Sequence, residues 1–152
     1  MSESVQSLKV SIQDAMKVAM RAKDKARLGV IRLMLAAIKQ REVDERIELS
    51  DQQVIAILEK MIKQRKDSIS QYTAGGRPEL AEVEAQEIVV IQDFMPALLS
   101  ADEVQKLLEE AISSASASSI RDMGKVMGIL RSQVQGRADM SQVSAMVKER
   151  LS

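Results

Sequence analysis

Residues 50–78 read SDQQVIAILEKMIKQRKDSISQYTAGGRP, and this stretch decides the fold class. Between positions 54 and 62 its apolar residues recur at steps of three and four, and Ile69 follows two turns later, which is the spacing of one face of an α-helix. Ser50 followed three residues later by Gln53 is a capping-box pattern that predicts where the helix begins. The Ala-Gly-Gly sequence at positions 74–76 predicts where it ends.

Two helices are predicted before this stretch and one directly after it. Asp24 is placed to cap the second helix, because its carboxylate can accept from backbone N–H groups of the first turn. Pro78 fits the first turn of the fourth, where a residue without an N–H loses no hydrogen bond. The apolar stripes are Val5, Leu8, Ile12, Met16 and Ala19 for the first helix and Leu28, Ile31, Leu35 and Ile38 for the second.

Three more helices are predicted in the last third of the chain. The capping-box pattern recurs at Ser100 and opens the fifth helix, which is predicted to end in a Ser/Ala-rich loop at residues 113–119. Gly136 is placed to end the sixth helix. The seventh begins at Asp139 or Ser141.

Together these patterns predict an all-α protein. The 152 residues include six glycines and two prolines, too few for the turns of many strands. A boundary is predicted around Pro96, which interrupts the helical pattern. The prediction is an N-terminal lobe of four helices at residues 1–94 and a small C-terminal lobe of three helices at residues 95–152.

The side-chain inventory excludes most catalytic machinery. The chain has no His and no Cys, which rules out imidazole bases, thiol nucleophiles, the common zinc sites and disulfides. The acidic residues that open the fourth helix complement its dipole, and the serines near position 116 have no recognisable activating base. We therefore predict no catalytic residue, no metal site and no cofactor.

Hydropathy and charge constrain location and partners. The longest apolar run, residues 33–38, is far shorter than the roughly 18 residues of a membrane span. No cationic segment followed by an apolar stretch and a cleavage site opens the sequence. The 22 basic and 22 acidic side chains balance, unlike the basic excess of typical nucleic-acid-binding chains. We predict a cytoplasmic protein with no membrane or DNA partner, while a local basic patch stays compatible with this balance.

A basic face is predicted on the second and third helices, where a row of cations can follow phosphate groups. The favoured interpretation is nevertheless a solvated face, because residues 1–94 hold 15 basic and 15 acidic side chains. The residues of this secondary basic face are Lys25, Arg32, Lys39, Lys63 and Lys66.

The last two helices are more basic, with six basic side chains against three acidic ones. Gly124 and Gly128 lie inside the sixth helix, where each costs about 1 kcal/mol relative to Ala. They leave a strip of backbone that another helix or a ligand can approach closely, and packing within the chain is the favoured interpretation of Gly128. Arg137 follows Gly136 at the helix junction, where a guanidinium and free N–H groups can hold phosphate.

At this motif the sequence resembles the YqeY family. The matching pattern is the helix with paired glycines, then seven residues, then Gly136-Arg137-Ala138-Asp139. The chain departs from the pattern at an additional Gly before Arg77, at Pro78 after it, and at Met95, where the family usually has Leu. Further stretches similar to family signatures are residues 31–39, 64–69, 74–80 and 94–96.

The C-terminal lobe also resembles the tail domain of GatB, a component of the tRNA-dependent glutamyl/aspartyl amidotransferase. This resemblance implies two all-helical lobes and a tail that helps to hold tRNA while the chemistry occurs elsewhere. It also implies the family's label of carbon–nitrogen ligase with glutamine as amido-N-donor, although the chain carries no ATP loop, amidase nucleophile or metal cage.

Three functions are compatible with these observations. The first is a non-catalytic helical module that binds structured RNA, with tRNA foremost, as an accessory to an amidotransferase or another RNA enzyme. The second is a protein–protein adaptor, which the paired glycines would also serve. The third is the inherited ligase activity. The predicted RNA-binding residues are Lys125, Arg131, Arg137 and Lys148, with Gly124, Gly128 and Gly136 as close-approach glycines.

Overall fold

A computed structural model describes residues 7–152, and the predicted all-α class is confirmed: this range contains seven α-helices, one short 3₁₀ turn and no strand. Val5, predicted on the first helix, lies outside the described residues. The helices are α1 (Leu8–Ala22), α2 (Lys25–Glu45), α3 (Asp51–Ala74), α4 (Pro78–Gln92), α5 (Ala101–Ala115), α6 (Met123–Val134) and α7 (Met140–Leu151), with the 3₁₀ turn at Ile120–Asp122.

Contacts divide the chain into two compact units, which we call the N-terminal unit, ending at Met95, and the C-terminal unit, Pro96–Ser152. Each has an apolar core of its own. In the N-terminal unit α3 packs against α4, α1 packs against α2, and α2 also contacts α4. In the C-terminal unit α6 packs against both α5 and α7.

The helix ends follow the local signals of the sequence. The hydroxyl of Ser50 accepts from the backbone N–H of Gln53 while the Gln53 side chain accepts from the N–H of Ser50, as the capping box requires. Asp24 accepts from the N–H of Arg27. Asp139, one of the two predicted starts of α7, accepts from the N–H of Ser141 at 2.9 Å. Such caps satisfy N–H groups that have no partner inside the helix.

Two local predictions are wrong in detail. Residues 113–115 belong to α5 and not to a loop, because Ala and Ser continue the helix until Ser116 adopts the left-handed conformation with φ 51°. In α2 the buried residues include Val30 and Met34, while the predicted Leu28 and Leu35 are only half-buried. The physical reason is that α2 contacts both α1 and α4, which moves its buried face away from the predicted stripe.

Glu42 joins three parts of the N-terminal unit. Its carboxylate accepts from the Lys9 ammonium of α1 at 2.7 Å and from the backbone N–H of Leu49, in the α2–α3 connection, at 3.0 Å. The hydrogen bond from Lys9, followed by that from Leu49, holds the pKa of the Glu42 carboxyl below its ordinary value. The charged form of Glu42 therefore stabilises the folded unit.

We expect Glu42→Gln to lower the melting temperature at neutral pH, because Gln keeps an acceptor for Leu49 but loses the charge that pairs with Lys9. The pKa of Glu42 is lower in the folded protein than in the unfolded chain. The stabilisation by its charged form is therefore complete above the unfolded-state pKa and is lost as the pH falls through the folded-state pKa. The stability difference between wild type and variant should therefore shrink on acidification, as thermal or urea unfolding across pH would measure. Glu48→Gln, an exposed carboxylate in the same connection, is the control. A difference that does not change with pH would contradict this account.

Candidate nucleic-acid interface

The sixth helix has one buried and one exposed face. Val126, Leu130 and Val134 are fully buried, at the four-residue spacing of a helical stripe, and α5 and α7 are the helices that pack against α6. At 100° per residue this stripe places the two glycines of α6 on the opposite side. The exposed residues there, which we call the α6 outer face, are Gly124, Lys125, Gly128, Arg131 and Ser132.

The glycines lie at the centre of the α6 outer face and are not covered by any other part of the C-terminal unit. A Cβ built at Gly124 or at Gly128 meets no atom within 4 Å. The favoured interpretation that Gly128 serves packing within the chain is therefore wrong, because the packed side of α6 is the other one. Lys125 projects from one edge of this bare strip and Arg131 from the other, about 120° apart around the helix axis.

The cations of the α6 outer face are free of ion pairs among residues 7–152, as is Lys148 of α7. The nearest acid, Asp122, accepts from the backbone N–H groups of Ser118 and Ser119, which lower the pKa of its carboxyl, with a smaller contribution from the Lys125 charge. Asp122 therefore has partners of its own and leaves the Lys125 ammonium exposed.

The remaining basic residue of α7 is used within the unit. Arg150 donates from Nε and from one terminal nitrogen to the two carboxylate oxygens of Glu109 on α5, at 2.9 and 3.2 Å. This hydrogen bond lowers the pKa of Glu109 and raises that of Arg150. Lys148 lies two residues earlier, on the opposite side of α7, so its ammonium is not part of this ion pair.

Arg137 has a structural contact that the sequence did not show. Its Nε donates to the carbonyl of Ala97 at 3.0 Å, and its own carbonyl accepts from the N–H of Leu99 at 2.8 Å. The buried Gly136 before it has φ 76°, the left-handed conformation that favours glycine. Arg137 thus holds the segment that leads into α5, and its replacement would disturb this anchor as well as any phosphate contact.

The residues of the secondary basic face are divided between two helices. Lys25, Arg32 and Lys39 are exposed on α2 at seven-residue spacing, which forms one row along the helix. Lys63 and Lys66 are exposed on α3, which packs mainly against α4. Sequence reasoning missed the apolar residues beside the α2 row, Leu33 and Val43, which are 50% and 63% exposed. Periodicity indicates their exposure only weakly, because the largely apolar residues 28–38 occupy most of the circumference of α2.

Within residues 7–152, no helix is long and apolar enough to cross a membrane. Residues 7–152 also contain no group of three acidic side chains placed to hold a metal ion.

Comparison with known proteins identifies relatives along nearly the whole chain. A family model described as Yqey-like protein matches residues 9–151. The chain is similar to proteins named altered inheritance of mitochondria protein 41, mitochondrial. The relative from Vanderwaltozyma polyspora is 39% identical over 90 residues, 59% of this chain and 49% of the relative. The relative from Kluyveromyces lactis is 37% identical over 89 residues, which cover 58% of this chain and 48% of the relative. The relative from Lachancea thermotolerans is 30% identical over 153 aligned residues, which cover 96% of this chain and 82% of the relative.

These relatives correct one prediction. In the first two, the match spans about half of the relative's length. All three are named mitochondrial proteins, which contradicts the predicted cytoplasmic location. The error has a physical cause, since the prediction rested on the lack of an apolar secretory signal, whereas mitochondrial targeting uses amphipathic Arg-rich segments that such a test does not detect.

We expect Gly124→Ala and Gly128→Ala to stabilise the protein by up to about 1 kcal/mol each, because both positions are open and Ala is the better helix former. Gly136→Ala should instead destabilise it, by about 1–2 kcal/mol, because its positive φ disfavours a Cβ. Urea unfolding of the three variants measures these differences. A loss of stability in Gly124→Ala or Gly128→Ala would show that these glycines are needed for packing.

Proposed function

The chain belongs to the YqeY family, and from that premise we propose that its C-terminal unit binds structured RNA, with tRNA as the first candidate. In this proposal the protein is a non-catalytic accessory to a tRNA-dependent amidotransferase or another RNA enzyme. The observation that carries the proposal is the α6 outer face, where unpaired cations flank exposed backbone. The similarity of this lobe to the tRNA-holding tail of GatB supports the choice of RNA.

The charge distribution supports contact with phosphates. From Arg121 to the C-terminus six basic side chains oppose three acidic ones, and the two cations of the α6 outer face have no ion pair within the described residues. Lys and Arg that neutralise phosphates release counterions, so affinity depends steeply on salt. Lys125 and Arg131 are the residues we assign to this role, with Lys148 in support. Arg137 is a weaker candidate because Ala97 already engages its guanidinium.

We expect the double variant Lys125→Ala/Arg131→Ala to bind tRNA about tenfold more weakly at low salt, because two solvent-exposed ion pairs of up to about 1 kcal/mol each together approach the roughly 1.4 kcal/mol that a tenfold change requires. The slope of log affinity against log salt should fall by about one for each phosphate that the variant no longer neutralises. Fluorescence anisotropy with labelled tRNA over a salt series measures both quantities.

Lys106→Ala is the matched control for this experiment. It removes one exposed cation from the same unit, but from α5, where four acidic residues surround it in sequence. It should leave tRNA affinity nearly unchanged. If wild-type protein fails to bind tRNA at low salt, or if Lys106→Ala weakens binding as much as the double variant, the RNA assignment is wrong.

A second candidate function is a protein adaptor, and the exposed face of α2 is the observation that favours it. We define the α2 outer face as Leu33, Ala36 and Val43, all exposed, beside the cationic row Lys25, Arg32 and Lys39. A small apolar ridge with a basic flank complements an amphipathic helix that has an acidic flank. A second copy is disfavoured, because antiparallel pairing of two α2 helices would set the two basic rows against each other.

The adaptor function predicts that association with a protein partner persists after nuclease treatment and that this association depends on Leu33. Affinity purification of wild type and of Leu33→Glu, both after nuclease digestion, should retain the partner only on wild type, because the new carboxylate disrupts the apolar ridge. Val89→Glu is the matched control, since Val89 is 59% exposed on α4. Association that disappears with nuclease, or that persists in Leu33→Glu, would exclude this docking mode.

A further inference from the structure

The shape of the α6 outer face indicates which form of nucleic acid it fits. We propose, on the premise that the C-terminal unit binds RNA, that this face lies in the shallow minor groove of an A-form RNA duplex. In this arrangement 2′-hydroxyls of the RNA donate to backbone carbonyls that the two glycines leave uncovered, and the cations at the edges contact the phosphates on either side.

Groove dimensions distinguish the duplex types. A helix with its side chains is about 10–12 Å across, wider than the roughly 6 Å minor groove of B-DNA. The major groove of B-DNA admits a helix, but it is read by side chains, and the centre of the α6 outer face has none at Gly124 and Gly128. A-form RNA has a deep, narrow major groove and a wide, shallow minor groove lined by 2′-hydroxyls. A convex helix without side chains at its centre fits only the last of these surfaces closely.

The uncovered carbonyls supply acceptors for those hydroxyls. Side chains of a helix tilt towards its N-terminus, so glycine at positions 124 and 128 exposes the backbone of the preceding turn. A helical carbonyl keeps a second lone pair after accepting its own N–H. The same helix shows the contact directly, because the Ser132 hydroxyl donates to the carbonyl of Ile129 at 3.3 Å. A 2′-hydroxyl would make the equivalent bond from outside.

The cations are arranged for two phosphate rows. Lys125 and Arg131 project from opposite edges of the strip, and a further exposed cation, Arg121, lies in the 3₁₀ turn before α6. From Lys125 to Arg131 the helix advances about 9 Å, so the two cations are also offset along the helix axis. Cations on both edges suit a groove, which has a phosphate backbone on each side, better than a single strand.

Base stacking gives no competing mode of recognition in this unit. The two aromatic residues of the chain, Tyr72 and Phe94, both precede Pro96. Proteins that bind single strands without sequence preference place bases on aromatic side chains. The C-terminal unit has no aromatic side chain on which bases could stack, so double-stranded RNA is a better ligand for it than single-stranded RNA.

The test compares four ligands of one short sequence by fluorescence anisotropy with the full chain: an RNA duplex, a DNA duplex, a 2′-O-methyl RNA duplex and single-stranded RNA. We expect the RNA duplex to bind about tenfold more tightly than the DNA duplex or the single strand, a difference of about 1.4 kcal/mol. The 2′-O-methyl duplex keeps A-form geometry but cannot donate, and it should lose most of that advantage.

Glycine variants separate this mode from charge attraction alone. Gly124→Ala and Gly128→Ala should weaken binding of the RNA duplex severalfold without affecting the DNA duplex, even though the variants are more stable. Gly29→Ala is the matched control, because Gly29 is likewise an exposed glycine inside a helix with nothing within 4 Å of its Cβ. It should leave RNA binding unchanged.

The outcomes separate this proposal from the RNA-binding function on which it rests. Equal affinity for RNA and DNA duplexes, preference for single strands, or unchanged binding by the Gly124 and Gly128 variants would overturn the groove proposal while RNA binding stands. If neither tRNA nor any of the four ligands binds at low salt, the RNA function fails and the groove proposal fails with it.

Discussion

Burial of one face of α6 is the constraint on which the C-terminal unit depends. Val126, Leu130 and Val134 are fully buried in a core to which α5 and α7 also contribute. A helix of 12 residues is marginal on its own in water, so these contacts hold it in place. They also fix its rotation about its axis and therefore direct both glycines outward. The packing of the buried face offsets the stability that the glycines on the other face cost.

Internal pairing then decides which charges remain for a ligand. Glu103 accepts from the backbone N–H of Ser100, which lowers the pKa of its carboxyl, and Glu109 is engaged by Arg150. These carboxylates belong to α5 and are held by a helix cap and an ion pair. They do not neutralise Lys125 or the other cation of the α6 outer face. A unit with equal numbers of acidic and basic residues can thus present one cationic surface.

Two residues show why a candidate site could be predicted only in part. The sequence placed Arg137 correctly at the junction between α6 and α7, but its contact is the carbonyl of Ala97, 40 residues earlier in the chain. Leu33 belongs to an apolar run, and its exposure follows from α2 packing against α1 and α4 with another face. In both cases the deciding contact joins distant segments, which local periodicity does not encode.

The sequence by itself determined the helical class and most of the helix ends, because each end depends on groups within a few residues of one another. Ser50 with Gln53, Asp24 with Arg27, and the left-handed Gly136 act through hydrogen bonds or backbone preferences that a short window contains. Tertiary structure decided which face meets solvent where the apolar pattern of a helix left more than one face open. Gly128 is the clearest example: the sequence favoured packing within the chain, whereas the burial of Leu130 turned the glycine outward, because only one side of a helix can face the core of its unit.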